Sequence, residues 1–169
     1  RQRLSLLFNR LGVRGDPSQA IADWIDSDQE TTNPNGAEDG YYLNLETPYR
    51  TAKTPLHSVS ELRLVKGFED SETYRLVEPY LCAFVVDGGN ISINVNTASA
   101  EVLQSLSADM TDSLVENIIE RRSEEPFTDL KEFTSYENLG KIIKNTDKLS
   151  TSSEYFLLRT QAIIGQANK

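Results

Sequence analysis

With 169 residues, 38% of them hydrophobic and 25% charged, the chain can bury one ordinary core or two small ones, and global disorder is excluded. Acidic residues outnumber basic ones by 26 to 17, a formal net charge of -9, which repels phosphate backbones and makes nucleic acid a poor partner. The single histidine, His57, excludes a two-histidine zinc site built within one chain, and any Ser-His-Asp site would have to use that one residue.

Leu4, Leu7, Phe8 and Leu11 recur at helical spacing, and Gly12 is a stop signal. The chain begins inside this pattern, at Arg1-Gln2-Arg3-Leu4, so a preceding segment is expected. Asp16-Pro17 opens a second helix, with Asp16 as cap, Pro17 in the first turn and Ile21, Trp24 and Ile25 on its apolar face. Asp26 to Gly40 reads as a long acidic loop, and Tyr41 to Pro55 as extended or irregular chain broken by Pro48 and Pro55. Ser58 and Glu61 have capping-box spacing for a helix that Gly67 ends, and Glu69 to Val77 is a further helix.

Leu81 to Val86 and Ile91 to Val95 read as two strands joined by the turn Asp87-Gly88-Gly89-Asn90. Cys82 lies in the first of them, and its apolar neighbours predict a small buried hydrophobe, not a nucleophile. Thr97, Thr111 and Thr128 are the expected caps of three more helices, and Tyr155 to Ile164 reads as a terminal strand. No run of about 18 apolar residues is present, so no segment of this sequence predicts a membrane span.

The acidic loop is the one candidate for specific chemistry. A hard cation such as calcium takes six to eight oxygens from carboxylates, amides and backbone carbonyls of a flexible loop, roughly what Asp26, Asp28, Glu38 and Asp39 can begin to supply. Gly36 and Gly40 would let the backbone turn around the ion. The loop is not an EF-hand: counted from Asp26, Thr31 stands where glycine is required and Ala37 where glutamate is required. A solvated acidic loop is the plain alternative. His57 reads as a polar residue at a helix start, no phosphate-binding glycine loop is present, and no carboxylate pair stands out as a catalytic couple. A metal-dependent hydrolase using the acidic cluster is the enzymatic reading, and it lacks an identified nucleophile.

Ile93-Asn94-Val95-Asn96-Thr97-Ala98, followed by Ile118-Ile119-Glu120-Arg121-Arg122 and Pro126-Phe127-Thr128-Asp129-Leu130, resembles the helix-hairpin-helix module of DNA-binding proteins. In that module a glycine-rich hairpin brings backbone N–H groups to a phosphate. Here the hairpin is Ser107-Ala108-Asp109-Met110, without glycine and with an added negative charge, so the module is expected to serve packing. A nucleic-acid-binding protein of this class is the alternative function.

Several dispersed segments together resemble the type II secretion protein K family. They are Ala22-Asp23-Trp24-Ile25-Asp26-Ser27-Asp28, Gly36-Ala37-Glu38-Asp39, Pro48-Tyr49-Arg50-Thr51-Ala52, Ser58 to Gly67, Ile93 to Ala98, and Ser153 to Arg159. The resemblance implies an α+β, mainly helical fold: a helical domain with helix-hairpin-helix (SAM-like) subdomains attached to a remnant of a pilin-like sheet. It implies three parts: residues 1–86, a helical head with the acidic loop that is the first SAM-like part; 87–148, a helix-hairpin-helix (SAM-like) subdomain; and 149–169, the C-terminal strand of the pilin-like sheet.

The same resemblance implies a structural, non-catalytic minor pseudopilin at the tip of the periplasmic pseudopilus, in complex with minor pseudopilins I and J. The full-length protein would be anchored in the inner membrane by a segment absent from this sequence. The family's calcium binding is carried to Asp26, Asp28, Glu38 and Asp39 alone, with Asn33, Asn35 or backbone carbonyls left open as further ligands. An unpaired terminal strand would need cover from a partner or further strands.

Overall fold

The computed structural model describes residues 2–84, 91–158, 160–161 and 165. Among them, short helices joined by capped turns enclose two apolar cores, and the β-structure is one two-stranded sheet.

Helix α1 (Gln2–Arg10) buries Leu7 and Phe8. It ends in a Schellman motif: Gly12 N–H bonds to Asn9 O at 3.0 Å and Val13 N–H to Phe8 O at 2.9 Å, with Gly12 at φ +74°. Only a residue without a Cβ takes that angle freely, so the expected stop has a physical cause. Asp16 accepts from the Ser18 amide (3.3 Å) and hydroxyl (2.5 Å), and opens helix α2 (Ser18–Ile25) behind a Pro17 already at helical angles. Ala20, Ile21, Asp23 and Trp24 of α2 are buried.

Where the expected loop meets the stretch expected to be extended or irregular, the chain forms a short helix, α3 (Asp39–Tyr42). Tertiary burial selects it: Tyr42 is fully buried, edge-on to Trp24 with ring centroids 5.2 Å apart. The Ser58–Glu61 capping box is present and begins a 3-10 helix, Val59–Leu64. Helix α4 (Ser71–Val77) is capped by Asp70, two residues into the predicted span. Phe8, Trp24, Tyr42, Leu62, Phe68 and Val77 form the centre of the first core.

Leu81–Phe84 is not a strand, and Cys82 is exposed, which corrects the expectation that it packs inside. Residues 85–90, which include the predicted turn, lie outside the described residues. Strand β1 is only Ile93–Asn94 and pairs in parallel with β2 (Leu149–Ser150), not with a hairpin neighbour. Parallel pairing requires a crossover, and the helices between the two strands provide it.

Helix α5 (Ala100–Gln104) is capped by Ser99 and not by Thr97, whose amide closes a turn onto Asn94 O. Helix α6 (Asp112–Glu124) is capped by Thr111 as expected. Helix α7 (Leu130–Ser135) is capped by Asp129, while Thr128 donates its amide and hydroxyl to Glu132, so the cap lies one residue beyond the expected threonine. Helix α8 (Leu139–Ile142) follows a short 3-10 turn. The second core is centred on Leu103, Met110, Ile118, Phe133 and Leu139, and Leu149 of β2 is buried in it.

Two polar side chains stitch the second unit together. Asn96 donates to Phe127 O (2.9 Å) and Thr151 O (3.0 Å) and accepts from the Phe127 amide (2.9 Å). Arg122 donates to Val95 O and Ala98 O, both at 2.7 Å. Each satisfies backbone groups that helix termini and turns leave open.

The hairpin between α5 and α6 exposes Ala108 and Asp109 at its tip and turns Met110 inward. Met110 is fully buried, its carbonyl accepts from Arg10 of α1 at 2.9 Å, and its amide bonds to Ser107 O. Asp109 N–H is taken by the Ser107 hydroxyl. These amides are thus engaged within the fold and are not presented to a phosphate. Residues 155–158 are not in a strand, and Phe156, Leu157 and Leu158 are largely exposed. The rest of that predicted strand falls partly outside the described residues. Among the described residues no helix is long and apolar enough to cross a membrane.

Thr111→Ala removes one capping acceptor, and its expected cost is about 1 kcal/mol, a fall in melting temperature of roughly 2–4 °C by circular dichroism.

Candidate cation pocket

Helix α2 and the loop after it build a pocket from groups far apart in sequence. Asp23 lies in the second turn of α2, on the same face as the buried Ala20 and Trp24, so its carboxylate is taken inside the fold. Its Oδ2 accepts from Thr32 N–H at 3.0 Å. Its Oδ1 is buried without a hydrogen-bond partner among the described residues. Asp26 is the C-cap of α2, extended at φ -78° and ψ 170°, which turns the chain into the loop. Glu38 precedes α3, is 4% exposed, and returns toward α2.

Between them the loop folds back sharply. Gly36 N–H bonds to Thr32 O at 2.6 Å, and Asn35 N–H to the Gln19 side chain at 2.9 Å. A Cβ on Gly36 would overlap both Asp23 Oδ2 and Thr32 O, so the close approach requires glycine. As a result Asp23, Asp26 and Glu38 each place a carboxylate oxygen within 4.8 Å of the others.

Lys53, from the chain after α3, joins this group. Its Nζ lies 2.5 Å from Glu38 Oε2, 3.5 Å from Asp23 O and 3.9 Å from Asp26 Oδ1, and it also donates to Asp28 O. The carboxylates of Asp26 and Glu38 therefore face this ammonium, Asp23 meets it through its backbone carbonyl, and Asp26 Oδ1 and Glu38 Oε1, like Asp23 Oδ1, are buried without a hydrogen bond among the described residues. Burial pushes the Glu38 carboxyl above the usual range. Lys53 opposes that shift, while the charges of Asp23 and Asp26 add to it. Clustered buried carboxylates with open lone pairs call for more positive charge than one ammonium supplies.

Of the four residues expected from sequence, Asp26 and Glu38 come together here. Asp28 is exposed, and its carboxylate accepts from Glu30 N–H at 2.8 Å; only its backbone carbonyl reaches the pocket. Asp39 points away. It accepts from the Thr51 amide (3.0 Å) and hydroxyl (2.9 Å) and pairs with Arg50 at 2.5 Å. The Thr51 amide, then its hydroxyl and Arg50, hold its carboxyl below the usual range. Asp23 was missed. Its signal is its position, since three residues before Asp26 on a helix puts both on one face. His57 is exposed at its turn, where its amide donates to Glu61.

The comparisons with known proteins are consistent along the chain. Residues 1–86 and 93–152 match family models described as Type II secretion system (T2SS), protein K. Type II secretion system protein K of Pectobacterium carotovorum is 36% identical over 177 aligned positions, covering 99% of this chain and 53% of that protein. The protein of the same description from Pseudomonas aeruginosa is 36% identical, covering 90% of this chain and 44% of its own length. The chain thus spans about half the length of these curated relatives. Among solved structures, a chain of the GspK–GspI–GspJ complex from the enterotoxigenic Escherichia coli Type 2 Secretion System superposes with a TM-score of 0.69 and 27% identity, covering 90% of this chain and 55% of that one.

Proposed function

We infer that this chain, which belongs to the type II secretion system protein K family, is the helical part of a minor pseudopilin that caps the tip of the periplasmic pseudopilus. The observation that carries this reading is the superposition, over nine-tenths of the chain, on a protein solved in complex with other secretion components. The role is structural, not catalytic. A bulky helical head cannot accept another subunit above it, so the filament grows from below, and export across the outer membrane follows from that assembly.

The finer organisation fits the same reading. We assign residues 1–86 to the head with the acidic loop and 87–148 to a helix-hairpin-helix (SAM-like) unit completed by β2. Residues 149–169 lead toward a pilin-like sheet whose remaining strands come from elsewhere in the protein. The full-length protein sits in the inner membrane by a segment outside this sequence, with the part described here in the periplasm.

The partners follow from the complex: minor pseudopilins I and J. In a pull-down, the complete periplasmic domain of this protein is expected to retain both. Failure to retain either, with folded protein confirmed by circular dichroism, overturns the tip assignment.

The pocket is read as a calcium site. The donor set is all oxygen, as a hard cation requires, and its unsatisfied buried carboxylate oxygens are the chemistry such an ion neutralises. Asp23, Asp26 and Glu38 would hold the ion, which would tie the loop before α3 to the end of α2. Bound calcium supplies fixed positive charge and no reaction.

A further inference from the structure

We propose that Lys53 is a tethered counter-ion of the Asp23–Asp26–Glu38 pocket: its ammonium fills the pocket when no free cation is bound, and a divalent cation must displace it to enter. The proposal rests on the reading of this pocket as a cation site and concerns how that site is regulated.

The geometry around Lys53 is that of a bound cation, not of a surface ion pair. An ammonium has three N–H donors and no acceptor. Here the acceptors within reach are Glu38 Oε2, Asp28 O and Asp23 O, with Asp26 Oδ1 just beyond hydrogen-bond distance. Carboxylate and backbone carbonyl oxygens are also the ligands that calcium takes. A divalent ion seated on the open oxygens Asp26 Oδ1 and Glu38 Oε1 would lie beside the ammonium, since the first is 3.9 Å from Nζ and the second shares a carboxylate with the Oε2 that holds it, and the two charges repel.

The backbone is arranged to deliver this side chain. Lys53 has φ +53°, in the left-handed region that residues with a Cβ rarely adopt. Its amide donates to Trp24 O at 3.0 Å, which locks the residue against the end of α2. A strained conformation persists where surrounding contacts over-determine it. The Lys53 side chain is 23% exposed, so its four-carbon stem has a route by which the ammonium can swing into solvent. The pocket then exchanges one cation for another, and the loop need not open when calcium is scarce. The cost is weaker binding of the free ion.

Two variants test this. Lys53→Met keeps the stem and removes the charge. Lys53→Asn tolerates the left-handed backbone and offers a neutral oxygen. Calcium binding is measured by isothermal titration and by terbium luminescence sensitised by the neighbouring Trp24, and melting temperature is measured in EDTA and in calcium. Both variants are expected to bind calcium at least roughly tenfold more tightly than the parent chain, since removing a close like charge relieves repulsion of that order. Both are expected to melt lower in EDTA and to recover the difference in saturating calcium. Calcium affinity that is unchanged or weaker in both variants, with the parent chain still binding, overturns the role of Lys53 and leaves the cation site standing. No calcium or terbium binding by any of the three proteins overturns the cation site itself, and this proposal with it.

Discussion

Chelation with EDTA is expected to lower the melting temperature of the calcium-saturated chain, and Asp23→Asn is expected to abolish that difference. A ligand that binds only the folded state at a hundredfold excess over its Kd adds about 2.7 kcal/mol, which for a domain of this size corresponds to roughly 5–10 °C. Extracellular calcium modules often bind only at about 0.1–1 mM, so the titration should extend well into the millimolar range. Asn at position 23 can still accept from Thr32 N–H, so the loop keeps its anchor while one negative charge leaves the pocket. The controls discriminate between two sets of residues. Asp28→Asn should retain the full calcium response, because the Asp28 carboxylate serves only a local turn to Glu30. Asp39→Asn should also retain it, while lowering the melting temperature in EDTA, because Asp39 holds Thr51 and Arg50. A melting temperature indifferent to EDTA removes the calcium assignment.

Gly36→Ala is expected to be the most damaging single-atom-group addition in the first unit. The new Cβ would overlap Asp23 Oδ2 and the Thr32 carbonyl, and would sit 2.8 Å from the Thr32 nitrogen. Backbone and a buried carboxylate cannot move aside as a flexible side-chain tip can. The loop must lose either the Gly36–Thr32 hydrogen bond or the Thr32–Asp23 one, and overpacking of this kind costs about 1–3 kcal/mol, with the lost hydrogen bond in addition. The melting temperature should fall by roughly 5–10 °C, and calcium should restore little of it, because Asp23 is displaced. Gly40→Ala is the matched control: a Cβ there meets open space, and Gly40 lies inside α3, where alanine is the better helix former by about 1 kcal/mol. A Gly36→Ala protein that melts with the parent would show that the loop does not fold back as described.

Much of the local structure is written in short-range signals. The Gly12 stop, the Asp16-Pro17 start, the Ser58–Glu61 box and the Thr111 cap all appear where the residues place them. Each depends on groups within about four residues, which is the reach of a capping hydrogen bond. The same reach explains the near misses. At α5 and α7 two polar residues compete for the cap, and the ones that win, Ser99 and Asp129, sit where the helix axis set by Leu103 and Phe133 in the core brings them. Leu81–Phe84 is not a strand because a run of apolar residues makes one only where a neighbour pairs with it. Ile93–Asn94 finds Leu149–Ser150, more than fifty residues away.

The packing role expected of the helix-hairpin-helix residues is carried by two polar side chains whose partners only the fold shows. Asn96 and Arg122 bind carbonyls of distant turns. They hold the helices around the second core, and the hairpin they frame is closed by Arg10 from the first unit.

The residues alone gave the helical character, several of the helix starts, the count that rules out a two-histidine metal site, and a loop rich enough in acid to attract a cation. Tertiary structure alone decided which acids meet. Asp23 and Glu38 are buried because α2 and α3 pack Trp24 against Tyr42, and Lys53 reaches them because the chain returns through a left-handed turn bonded to Trp24 O. Asp28 and Asp39 are equally acidic, yet one is left in water and the other is spent on Thr51 and Arg50. A carboxylate's value to a cation depends on its distance from other charges and from solvent, and those distances are set by contacts between residues far apart in the chain.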